Sequence, residues 1–107
     1  MTPVLPGAVR AVLCASAGGE PVELRARLEK SARDDPRLGS ERAEAELAAE
    51  LASRWRVDLE RAGVAASLLP PVVRAARHEV WLWVMGERTW RHTVEALAGR
   101  VDRRCPG

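Results

Sequence analysis

Along the C-terminal third of the chain, apolar residues recur in alternating steps of three and four. The line runs Val73, Ala76, Val80, Trp83, Glu87, Trp90, Val94, Leu97 and Val101, broken only by Glu87 beside Gly86. A strand would alternate at every second residue. This spacing therefore predicts one face of a long helix, or of two helices in line, over about 71–104. Unbroken, such a helix would be roughly 50 Å long at about 1.5 Å per residue, more than a domain of this size spans. Either a bend near Gly86 or a hairpin using the whole length is expected.

A second apolar line, Ala48, Leu51, Trp55, Leu59 and Ala62, predicts a helix over 41–62. Ser40 is a suitable N-cap, Glu41 and Glu44 lie near the positive end of the dipole, and Gly63 is placed to end the helix. Pro70-Pro71 opens the last helix. Pro21 suits the start of a helix through about Arg33, with Leu24, Leu28 and Ala32 as its buried stripe. Asp34-Asp35-Pro36 ends it, because a residue before proline is pushed out of the helical region. Residues 7–17 are short and mostly apolar, closed by Gly18-Gly19, and fit a helix or a buried strand equally well.

The expected fold is all-α. A helical hairpin of 41–62 and 71–104 carries one or two short N-terminal helices over the Trp81–Met85 region, forming a small bundle. The chain 1–107 reads as a single domain, with 1–19 either a flexible lead or a short packing element.

The run Val80-Trp81-Leu82-Trp83-Val84-Met85 is apolar on every side of a helix. Only part of it belongs to the main seam, so Trp81, Leu82 and Met85 need cover from another direction. One reading makes this run the centre of the bundle, wrapped by the N-terminal elements. A second makes Trp81 and Met85 anchors for a partner, since Trp and Met are over-represented in such patches. A third makes the run a strand ending at Gly86, against which the helical register through Trp90 to Val101 weighs.

Composition adds less. All four aromatic residues are tryptophan, so Trp55, Trp81, Trp83 and Trp90 carry the bulky aromatic burial. Lys30 is the single lysine beside sixteen arginines, which reads as codon bias and makes arginine enrichment alone poor evidence for phosphate binding. The net charge of +2 is too small to imply nucleic acid. Residues 71–107 nevertheless hold seven arginines against four carboxylates, whereas 20–61 hold nine basic and eleven acidic groups. Arg74, Arg77, Arg88 and Arg91 around Trp81 would suit an anionic surface, although a solvated helix face is the commoner meaning of such charges.

Cys14 and Cys105 lie near opposite ends without metal-ligand spacing, and read as a buried and a free thiol. His78 and His92 are fourteen residues apart, about 21 Å along one helix, too far to share a metal within it. No phosphate loop or nucleophile elbow is present, so no catalytic residue, cofactor or metal is assigned. Arg10 interrupts the first apolar run and no charged region precedes it, arguing against a signal peptide. No stretch approaches the roughly 20 apolar residues of a membrane span, so a cytoplasmic location is expected.

The expected function is that of a non-enzymatic protein–protein interaction module, a small regulatory or adaptor subunit. It would associate through its apolar, Trp-containing helix with another protein or with itself, as a homodimer along the 73–101 seam. The contact residues would be Trp81, Met85, Trp90, Arg74, Arg77, Arg88 and Arg91. Two alternatives stand beside it. One is a nucleic-acid-binding regulator that also uses Arg100, Arg103 and Arg104. The other is a small-ligand pocket walled by the tryptophans.

Overall fold

A computed structural model describes residues 7–105. Among them are seven α-helices, one 3-10 turn and no strand. The helices are α1 (Ala8–Ser16), α2 (Val22–Asp34), α3 (Pro36–Arg54), α4 (Arg56–Ala62), α5 (Leu69–Ala75), α6 (Arg77–Val84) and α7 (Trp90–Arg103). The 3-10 turn, Ala66–Leu68, leads into α5.

The closed helical hairpin is α2–α3, and the expected partners 41–62 and 71–104 also pack on each other, through α3 against α5 and α6. Asp35 alone joins α2 to α3, in extended conformation, and it also caps α3 by accepting from the Leu38 N–H at 3.2 Å. Pro36 occupies the first turn, so α3 begins five residues before the expected start at Glu41, and Ser40 lies inside it. The antiparallel register shows in Arg27–Glu46 at 2.7 Å and in Arg42 Nη1 donating to Ser31 Oγ at 3.4 Å. Gly39 makes this crossing possible, because a Cβ there would lie 2.4 Å from the Ala32 Cα. The glycine permits backbone contact here without breaking the helix.

The expected rod 71–104 is three helices. Ala76, buried between α5 and α6, departs from helical geometry at φ −103°, ψ 25°. The second break matches the expected bend: Gly86 sits at φ 82°, its N–H bonding the Trp83 carbonyl and the Glu87 N–H the Leu82 carbonyl at 2.7 Å. That is a Schellman ending, which needs a left-handed residue. Gly63 ends α4 in the same way, with the Val64 N–H on the Leu59 carbonyl at 2.9 Å. Trp55 separates α3 from α4 with no glycine or proline nearby.

The apolar line of the C-terminal third is internal. Val73, Ala76, Val80, Trp83, Trp90, Val94, Leu97 and Val101 are all buried, and Glu87 is exposed. Helices α5 and α6 form a middle layer between α3 on one side and α7 on the other, and α2 also reaches α6. The seam is thus spent on the core. It offers no surface for the expected pairing of two copies.

Ala8–Ser16 form α1, which packs antiparallel on α7 rather than over Trp81–Met85. Of the N-terminal helices it is α2 that reaches α6, where Arg25 Nη1 donates to the Val84 carbonyl at 3.3 Å. The Asp102 carboxylate of α7 accepts from the backbone N–H of Gly7 and Val9, each at 3.1 Å, and of Arg10 at 3.3 Å. It does from 93 residues away what an N-cap side chain does locally, since Gly7 has none to offer. Asp102→Ala should cost about 1–2 kcal/mol in urea unfolding and selectively speed amide exchange in α1. Equal exchange in α1 for both proteins would show the cap to be idle.

Three indoles fix α1 and the segment that follows it. Trp55 Nε1 donates to the Leu13 carbonyl at 2.9 Å, Trp90 Nε1 to the Gly18 carbonyl at 3.0 Å, and Trp83 Nε1 to Glu20 Oε1 at 2.8 Å. Arg54 adds hydrogen bonds to the carbonyls of Ala17 and Gly19. Buried indole N–H groups need partners, and here α1 and the loop after it supply them.

A candidate contact surface on α6

Helix α6 touches α2, α3, α5 and α7, so most of its circumference is enclosed. Val80, Trp83 and Val84 point inward and are buried. What remains is one stripe at helical spacing: His78, Trp81, Leu82 and Met85. His78 is exposed and the other three are half-buried, with Trp81 and Met85 resting on the edge of the core. Trp81 is the one tryptophan whose indole N–H finds no acceptor among the described residues.

Trp90 does not belong to this surface. It is 7 % exposed, its ring packs on Trp83 at 5.1 Å between centroids, and the Arg54 guanidinium lies 5.6 Å over it. These contacts, with the N–H on Gly18, use the indole entirely for structure. Its place in the buried register already carried that information.

The four arginines of the expected strip are dispersed. Arg77 is one helical turn before Trp81 and pairs with Glu44 of α3 at 3.5 Å. Arg74 lies on α5, exposed, and shares with Arg77 a groove of about 720 Å³ between α3 and α5. Arg37, on the first turn of α3, faces the same groove, together with Glu41 and Glu44. Arg88 sits exposed in the turn after α6, its N–H on the Leu82 carbonyl at 3.2 Å. Arg91 belongs to α7 and pairs with Glu95 at 3.3 Å, 90 % exposed. Arg37 escapes sequence reading because its position depends on α3 starting at Pro36. Leu82 was visible as an off-seam apolar residue.

The tryptophans do not wall a common pocket. The groove between α1 and α7, about 450 Å³, is lined by Trp90 alone of the four, with Cys14 and Glu95 beside it. Burial, reinforced by the Glu95 carboxylate, raises the Cys14 pKa against the pull of Arg10 and Arg91. Cys14 therefore stays a thiol at neutral pH and makes a poor nucleophile. Burial, with help from Asp102, raises Cys105 as well. The antiparallel α1–α7 pairing sets Cys14 level with Val94 and Glu95. Cys105 follows ten residues later, about 15 Å along the helix and out of disulfide range.

His78 and His92 lie on different helices, α6 and α7, both exposed. Among the described residues no group of three His, Cys, Asp or Glu side chains is placed to hold a metal. No helix among them is long and apolar enough to cross a membrane. Comparison with protein families, with curated proteins and with solved structures returned no match, so the functional reading rests on this chain's own residues.

Proposed function

We propose that the protein is a non-enzymatic interaction module, a small regulatory or adaptor subunit, and that the outward stripe of α6 is its contact surface. One observation carries this reading. Three of the four tryptophans are consumed by the core and by the α1–α2 loop, while Trp81 stays half-buried beside Leu82 and Met85. A large indole next to an adaptable thioether is the composition of an interface anchor. Nucleic acid has less support, because the C-terminal arginines divide among α5, α6, α7 and a turn, and two of them are paired with carboxylates.

The test separates surface from core. Trp81→Gln with Met85→Gln should lower stability by only about 1 kcal/mol, because both side chains rest on the core edge. The same variant should lose the partner recovered by cross-linking in cells, or the second copy seen by light scattering. If assembly survives the double substitution unchanged, α6 is not the contact surface.

A further inference from the structure

The α3–α5 groove reaches α6 at Arg77, the first residue of that helix. Arg77 lines the groove and stands four residues before Trp81 on α6, with Met85 a further turn on. Trp81 therefore stands one helical turn from a cleft whose charged lining is Arg37, Arg74, Arg77, Glu41 and Glu44. Arg77 is held by Glu44, the less exposed partner of that pair at 16 %. Arg37 and Arg74 have no carboxylate within ion-pair distance among the described residues. Glu41 is likewise unpaired, so the unpaired charge of the cleft is two guanidiniums against one carboxylate, a net cationic excess of one.

We infer that the occupant is a linear amphipathic segment of another protein, with apolar side chains over Trp81 and Met85 and carboxylates beside Arg74 and Arg37. This rests on the α6 reading above and specifies its partner. Shape and area argue against a second copy. A stable pair of folded copies buries about 800 Å² on each, whereas α6 is one eight-residue helix with a half-buried stripe. A single strand or helix fits a groove as well as a stripe and so gains the area the stripe lacks. The excess charge sets the sign of the segment: carboxylates meet two unpaired guanidiniums, while lysines would face them with like charge and find only Glu41 as a free counter-charge.

Two fluorescein-labelled peptides test this by anisotropy on the full chain. Both carry leucines at i, i+3, i+4 and i+7, with glutamates elsewhere in one and lysines in the other. The glutamate peptide should bind at least tenfold tighter, and added salt should narrow the gap. Arg37→Glu with Arg74→Glu should weaken it about tenfold, as should Trp81→Gln, while Arg56→Glu on exposed α4 should leave it unchanged. Equal binding of the two peptides, or indifference to the Arg37/Arg74 change, overturns the acidic segment; loss with Trp81→Gln alone would still leave the α6 surface standing. Failure of both peptides at up to about 100 µM also overturns it, and a dimer by light scattering under those conditions would identify a second copy as the occupant.

Discussion

Gly39→Ala should destabilise the fold by about 2–3 kcal/mol, although the same change in an exposed helix stabilises by about 1 kcal/mol. The sign reverses because of what the new methyl group meets. It would lie 2.4 Å from the Ala32 Cα, 2.7 Å from the Ala32 N and 3.0 Å from the Ser31 carbonyl carbon. All three are backbone atoms of α2, so no side chain can turn away. The hairpin itself would have to open, and its connection is the single residue Asp35. Opening it would loosen Leu28 and Leu47, both fully buried. Gly99→Ala is the control: its Cβ would sit 3.6 Å from the Arg10 Cδ, an ordinary contact, and should leave stability unchanged or slightly raised. Urea unfolding of the two variants should move in opposite directions. Matching shifts would mean that α2 and α3 do not touch at Gly39.

Trp55→Ala should remove about 4 kcal/mol or more, a large share of the roughly 5–15 kcal/mol typical of a domain. The side chain is fully buried at the junction of α3 and α4, and its N–H bonds the Leu13 carbonyl. Alanine would leave a cavity and an unpaired carbonyl together. Trp55→Phe divides these effects, because the ring fills most of the space while the Leu13 carbonyl loses its donor. That variant should cost about 1–3 kcal/mol. A phenylalanine variant as stable as the parent would show that the hydrogen bond contributes nothing net.

The stripes were legible because periodicity reports burial directly. Leu24, Leu28 and Ala32, the line through Ala48 to Leu59, and the register from Val73 to Val101 all face the core, save Glu87. Gly63 and Gly86 were legible as stops because only glycine adopts their geometry freely. The breaks at Trp55 and Ala76 were hidden, since both residues suit a helix and the backbone turns there for tertiary reasons. Asp35 was read only as an end because one residue serving both helices leaves no composition shift. Partners distant in sequence, such as Asp102 with Gly7, left no local signal. At the contact surface, Trp81 and Met85 stood out by failing to fit the seam. Residue type points Trp90 outward although its register places it inside, and Arg37 depends on a helix start that Ser40 conceals.

The long-range ties on α1 bear on the order in which a growing chain can become a folded one. Residues 7–20 are synthesised well before the elements they dock on: Trp83 follows Glu20 by 63 residues and Trp90 follows Gly18 by 72, with the rest of α7 later still. Until then Val9 and Leu13 lack their packing surface, and the first turn of α1 lacks its carboxylate. The α2–α3 hairpin, by contrast, is local and can close at once, because contacts near in sequence need little loop entropy. A ribosome stalled before Trp90 would thus carry a closed hairpin and an undocked, apolar first helix, the exposure that chaperones bind.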